Sequence, residues 1–343
     1  MNTPAKVATA RPSFAARWAS GYANAALPRH ADPASLQAIA GRTMGTTWSL
    51  RFDNPKMIEL GAVRHAVQAV LDRVIAQMST WEPGSDISRF NGAIAGSRHS
   101  LAPEFAEVLG CALRWAAESG GAIDPSVGPL ISLWGFGAQA CTSGMPSSPA
   151  DLAQARARVG WERLDFDPGT QSILQPGGTA LDLSGVAKGF AVDHVAEALR
   201  TLGLEDFIVE VGGELRGAGH RPGGAPWRVQ VDAANGRPAV VALSNLAIAT
   251  SGDRWHTHEH AGRRWSHTID PRNGEPPRHG LASVTVLHRE CMHADALATV
   301  LTVLGPDEGL AFAERHAVPA LFVCHEGAQP RVLATSHWPA HSS

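Results

Sequence analysis

Residues 291–304 read CMHADALATVLTVL, and the rest of the chain is organised around them. Leu297, Val300, Leu301 and Leu304 recur at helical spacing and predict a buried helix. Asp295 and Thr299 are four apart, so on that helix one side chain stands above the other. A carboxylate set among Ala, Leu and Val needs a partner, because an unpaired buried charge is costly. A hard cation such as Mg²⁺ is one such partner, since it prefers oxygen ligands. A second reading keeps Asp295 as a local cap or ion-pair member and bonds Thr299 to the carbonyl one turn back.

The composition bounds what surrounds this helix. Hydrophobic residues make up 44% of the 343 and charged residues 18%, enough apolar matter for a sizeable core. A formal net charge of -3 gives no electrostatic case for nucleic acid or an anionic membrane. The four cysteines, Cys111, Cys141, Cys291 and Cys324, form no CxxC pair, so neither a disulfide framework nor a zinc site is expected. No continuous apolar run of about 18 residues is seen, so no transmembrane helix is expected. Residues 1–40 carry Arg11, Arg17 and Arg29 among Ala, Ser and Pro, with no apolar signal-peptide centre and no cysteine for a lipid. They are read as a poorly ordered tail before a domain over residues 41–338. A cytoplasmic location follows as the expectation for the chain as given.

Outward from the helix, residues 281–287 predict a strand that feeds it, and residues 307–317 a closing helix before strands at 320–323 and 331–333. Toward the N-terminus, residues 43–52 read as a strand and 58–78 as an amphipathic helix with Val63, Val67, Val70, Leu71, Val74, Ile75 and Met78 on one face. A loop with one helical turn covers 79–91, and a second helix runs from Pro103 to a Gly120-Gly121 stop. Residues 122–137 form a Gly- and Pro-rich apolar loop with one acid, Asp124. Such a loop suits a planar ligand, or a plain helix connection with a buried Trp. Residues 138–148 read as a polar loop and 149–159 as a short helix.

Residues 164–174 suggest a hairpin around Pro168-Gly169. At 181–191 (LDLSGVAKGFA) a short strand runs into a helix, with Ser184 read as its N-cap and Lys188 beside the positive dipole end. That suits a phosphate or pyrophosphate, while ordinary capping is the alternative. Strands at 207–211, 227–231, 239–243 and 247–249 suggest an antiparallel meander. His256, His258 and His260 alternate and would share a strand face, yet Ala261-Gly262 favours a solvated hairpin over a soft metal site. His267 stands just before the Pro-Arg-Asn-Gly turn at 271–274, where a strand ends.

Six segments in this order resemble the ApbE family of FAD:protein FMN transferases. They are TMGTTW (43–48), DLSGVAKG (182–189), VGGE (211–214), ATSG (249–252), SHTIDP (266–271) and ADALAT (294–299). The resemblance spans about residues 41–335. It implies an α+β fold of mixed antiparallel sheets packed with helices, T-fold-like, in two interleaved lobes with FAD between them.

It also implies a chemistry. The enzyme would bind FAD with Mg²⁺ and move FMN through a phosphoester onto a Thr or Ser hydroxyl of a target flavoprotein, releasing AMP. By position, Asp295, Thr299 and the main-chain oxygen of Gly185 match the metal ligands. Met44, Trp81, Ala122, Ile123, Asp124, Asp182, Lys188 and Ile269 match positions that hold FAD. His267 matches a histidine suspected of taking the proton of the target hydroxyl, which an imidazole does at neutral pH. The position before the metal-ligand Thr is often acidic in the family and is Ala298 here, so a single Mg²⁺ is expected. Many members are exported or lipid-anchored, which makes the periplasmic face of the inner membrane the alternative location. An FAD pyrophosphatase and a non-catalytic flavin-binding protein are the competing functions.

Overall fold

The computed structural model describes residues 36–138, 148–231, 239–252, 257–260, 263–325 and 330–339. Strands β1 (Leu36–Thr43) and β2 (Thr46–Asp53) form a hairpin whose two-residue turn has φ of 48° at Met44 and 68° at Gly45. Two positive φ values make the turn whose twist matches the strands. Residues 36–40 are therefore strand, not tail, and the correction has a simple cause. Their side chains are largely exposed, and it is the backbone ladder from Leu36↔Asp53 to Thr43↔Thr46 that orders them. Residues 1–35 lie outside the described residues, as do the loop at 139–147, Trp255 and His256.

Helices α1 (Leu60–Met78), α2 (Asp86–Asn91), α3 (Pro103–Glu118), α4 (Gly128–Leu133) and α5 (Pro149–Arg156) follow, with β3 (Arg98–Ser100) before α3. In α1 the apolar face buries Val63, Val67, Val70, Leu71, Val74 and Met78, while Ile75 is only half-buried. Strands β4 (Phe166–Asp167) and β5 (Ser172–Leu174) make the expected hairpin and join β3 in a small sheet of order β3-β5-β4.

Next come α6 (Ala187–Thr201), β6 (Phe207–Val211), β7 (Glu214–Ala218), β8 (Trp227–Val231), β9 (Ala239–Leu243), β10 (Leu246–Gly252), β11 (Thr257–His260), β12 (Arg263–Ser266), β13 (Leu281–His288), α7 (Cys291–Arg315), β14 (Ala320–Cys324) and β15 (Arg331–Ala334). The main sheet has order β1-β2-β6-β7-β10-β13-β14-β15, every neighbour antiparallel. The fold is α+β, as the sequence predicts.

Three layers result. Helices α6 and α7 pack on one face of the main sheet, α1 lies against α6, and α3 lies against α7. Trp48, Phe52, Phe190, Phe207 and Phe322 are almost wholly buried between them. Each such ring contributes on the order of 2–3 kcal/mol by leaving water. The other face is covered by β8 and β9, which pair with each other alone. Trp227, Val229, Val241 and Leu243 point inward onto Ile248, Leu287 and Leu321. The expected meander is thus a separate covering hairpin, because alternate residues of both strands are apolar and need the sheet's outer face. A small satellite core gathers Leu130, Trp134, Ala155 and Ile269 from distant parts of the chain.

Helix α7 is apolar and long enough to cross a membrane by length and composition, although polar residues interrupt its apolar run. It is the central helix of the core, buried nearly all round instead of along one stripe. Its two halves, expected as separate helices, meet at a kink where Gly305 has φ 79° and Pro306 follows.

Candidate active site

The loops at one end of the main sheet meet the N-terminal end of α6 and the first turns of α7. Residues 180–182 are fixed first. The Asn91 side chain donates to the Leu181 carbonyl at 2.9 Å and accepts from its N–H at 2.7 Å, as a neighbouring strand would. The Asp182 N–H donates to the Pro125 carbonyl at 2.8 Å and the Gly128 N–H to the Ala180 carbonyl at 3.1 Å. These bonds bring the 122–128 loop beside Asp182.

Asp124 is buried, and both its oxygens face protein. One accepts from the Ser126 N–H at 2.8 Å and hydroxyl at 2.6 Å, the other from the Trp161 N–H at 2.9 Å. Burial pushes its carboxyl above the ordinary value, against those hydrogen bonds. Asp124 therefore shapes the loop, and Ala122 and Ile123 are buried beside it. Asp182 is half-buried, with its Oδ1 accepting from the Ser184 N–H at 2.9 Å. Burial raises its carboxyl too.

Ser184 does not cap α6. The helix starts at Ala187, with Val186 before it and no side-chain cap on that residue. The carboxylate that serves this end comes from α7: Asp295 Oδ2 accepts from the Gly189 N–H at 3.0 Å. Close approach makes this feasible. A Cβ on Gly189 would lie 2.3 Å from the Cys291 carbonyl oxygen, and one on Gly185 would lie 2.8 Å from Thr299 Oγ1. Both glycines let backbone press onto α7. No group among the described residues hydrogen-bonds the half-buried Thr299 hydroxyl.

Lys188 lies in a small charge cluster. Its Nζ bonds Glu214 Oε1 and sits 3.9 Å from Asp295 Oδ1. The expected phosphate-facing lysine is thus already held by two carboxylates, and the buried Glu214 Oε2 has no hydrogen-bond partner among the described residues. Burial raises the Asp295 carboxyl, opposed by Lys188 and the Gly189 N–H. Glu214 is pushed up to about 8, by burial first and by the Asp295 charge, against Lys188. Burial works to lower the Lys188 ammonium, but the Asp295 and Glu214 charges outweigh it and hold it above the usual lysine value. Two carboxylates and one ammonium this close titrate as a unit. Glu210, one turn of chain away, accepts from the Gly213 N–H at 2.8 Å and the Ser49 hydroxyl at 3.1 Å.

The remaining expected residues lie on other elements. Met44 forms the tip of the first hairpin, and Trp81 is 69% exposed on the loop before α2. His267 follows β12 and is half-buried, its ring edge-to-face with Phe136 at 6.5 Å. Ile269 is buried against Trp134, whose indole N–H donates to the Gly274 carbonyl at 2.7 Å. The Gly-rich loop and the His267 turn are thereby joined. Sequence reasoning missed Asn91, Asp193 and Glu210, and gave Glu214 no role. The only local signal was acidic or amide residues in otherwise apolar segments.

The expected donor set, Asp295, Thr299 and the Gly185 carbonyl, is one carboxylate, one hydroxyl and one main-chain oxygen, all hard. Among the described residues, no group of three or more His, Cys, Asp or Glu is placed to share a metal ion. Gly185 pressed on Thr299, one helical turn from Asp295, fits an ion that takes few protein ligands and keeps sites for water and phosphate.

Residues 44–322 match the model of the ApbE family. The FAD:protein FMN transferase of Vibrio cholerae serotype O1 is 37% identical over 300 residues, covering 85% of this chain and 88% of that protein. The Escherichia coli K12 protein of the same name is 33% identical over 307 residues, with 88% and 87% covered. Among solved structures, the apo flavinyl transferase ApbE of Pseudomonas stutzeri superposes with TM-score 0.83 at 36% identity, covering 88% of this chain and 95% of that one. The flavin transferase ApbE of Vibrio cholerae gives 0.82 at 35%, with 89% and 99% covered. With the motif order, the strand order and these matches in agreement, the chain belongs to the ApbE family.

Proposed function

We propose that this protein is an Mg²⁺-dependent FAD:protein FMN transferase acting on a Thr or Ser hydroxyl of a target flavoprotein. The observation that supports the reading is that Asp295 bonds the Gly189 N–H while Gly185 is pressed against Thr299, so that α7 meets the N-terminal end of α6 at these residues. The names of the relatives support flavin transfer. When bound by Asp295, Thr299 and the Gly185 carbonyl, Mg²⁺ supplies the charge neutralisation that phosphoryl transfer needs.

The chain's own residues do the rest. The loops at 122–128 and 181–185 fix one wall of the flavin dinucleotide site, with Met44 and Trp81 on its rim. Lys188 keeps a positive charge beside Asp295. The target hydroxyl oxygen bonds to the FMN-side phosphorus, the bond from that phosphorus to the AMP oxygen breaks, and AMP leaves. His267 takes the hydroxyl proton.

The test is direct. With FAD, Mg²⁺ and a Thr-bearing target domain, mass spectrometry should show the target heavier by one FMN phosphoester, with AMP in equal amount. FMN and AMP without a labelled target would favour an FAD pyrophosphatase. FAD binding with no AMP at all would leave a flavin carrier.

A further inference from the structure

Helices α6 and α7 have no caps of their own. Neither Val186 before α6 nor Glu290 before α7 accepts from a first-turn backbone N–H through its side chain. Yet the first N–H groups of any helix need partners, above all where they are buried. Each helix obtains one from the other. Asp295 of α7 accepts from the Gly189 N–H of α6 at 3.0 Å. Asp193 of α6 accepts from the Met292 N–H of α7 at 2.9 Å. The second Asp193 oxygen accepts from Arg216 Nη1 of β7 at 2.5 Å, and the two side chains are only 13% and 14% exposed.

We propose that Asp193 is a positioning residue of the metal site, acting through the first turn of α7. The inference rests on the metal reading given above and deepens it. Met292 lies one turn before Asp295. Tying its N–H to Asp193, and Asp193 to the sheet through Arg216, fixes the turn from which Asp295 projects. Asp295 is fixed again at its own oxygen by Gly189. Without Asp193 the Met292 N–H and the buried Arg216 charge both lose their partner, and the turn loosens. Groups that orient a ligating carboxylate in this way typically matter by about 10–100-fold in metal affinity.

Two variants test this. Asp193→Asn keeps an oxygen for the Met292 N–H and loses the charge facing Arg216; Asp193→Ala loses both. Mn²⁺ binding to the protein alone is read by electron paramagnetic resonance, FAD binding in EDTA by flavin fluorescence, and folding by circular dichroism. The expected result is Mn²⁺ affinity weakened about tenfold or more in Asp193→Ala and less in Asp193→Asn. FAD affinity in EDTA should stay at the wild-type value, and excess Mg²⁺ should restore the transfer rate of Asp193→Asn. A folded Asp193→Asn with wild-type Mn²⁺ affinity and an unchanged Mg²⁺ requirement overturns the proposal, even if its melting temperature falls. Should Asp193→Ala fail to fold, Asp193→Asn decides alone. Wild-type protein that binds no Mn²⁺ at all overturns the metal reading itself, which is a separate result.

Discussion

Asp295 does two jobs with one carboxylate. It closes the N-terminal end of α6 through Gly189, and it faces Lys188 with its other oxygen. Asp295→Asn keeps the first job and removes the charge. AMP release and target labelling should then fall by about a thousandfold, the scale of a few kcal/mol of lost charge stabilisation, with the fold intact by circular dichroism. Wild-type rates in that variant would remove Asp295 from the chemistry.

Glu210 gives a different test at the same scale. Burial pushes its carboxyl from an ordinary 4.5 up to about 7, against the Gly213 and Ser49 hydrogen bonds and the Lys188 charge. The folded state therefore keeps a proton that the unfolded chain has already lost. This stabilisation is complete below about 4.5 and is lost as pH rises through about 7. Glu214, pushed up to about 8, has the same sign. The melting temperature of the wild type should decline between about pH 5 and pH 8, and Glu210→Gln should decline less. Equal slopes would refute the assignment. That Asp295 and Thr299 share one helix was legible from its apolar period, and Gly185, which packs on Thr299, lies in a segment that carries the family resemblance. Asn91, Asp193 and Glu210 were not, since their partners lie 90, 99 and 161 residues away.

Among elements, α7 was the easiest to read and its ends the hardest. Apolar spacing predicts a helix from Cys291 whatever surrounds it. Caps depend on which chain segment arrives at the helix end, and here it is another helix. Ser184 has the right side chain in the right neighbourhood, but the helix begins three residues later. The segment before α6 shows the same dependence. Asn91 substitutes for a missing strand by bonding both backbone groups of the buried Leu181. Asn91→Ala should destabilise the fold by about 1–3 kcal/mol for each group left unpaired. Denaturant titration measures it, and a change within experimental error would show that water fills the place.

Over the whole molecule, the proposed site would draw on residues from Met44 to Thr299, carried by the first hairpin, by loops and by the first turns of α6 and α7. Binding FAD there should hold those loops together. At about 100 times the dissociation constant, FAD should stabilise the protein by about 2.7 kcal/mol, read as a rise in melting temperature. No rise at FAD concentrations up to the solubility limit would mean that the folded protein does not bind FAD in preference to the unfolded chain, and would count against the flavin site. The α+β class was legible because six short segments in order carry the resemblance to the family, and the strand and helix patterns between them agree with it. The place of β8 and β9 was not, because an apolar alternation tells which side of a strand is inward without telling which surface it meets.

The exchange of carboxylates between α6 and α7 has a consequence for anyone recombining this protein with a relative. Grafting one of the two helices from a parent that lacks its carboxylate would leave the first turn of the other helix without that acceptor in the interior. Crossover points that keep residues 181–201 and 288–304 from the same parent should yield working hybrids far more often than points that divide them.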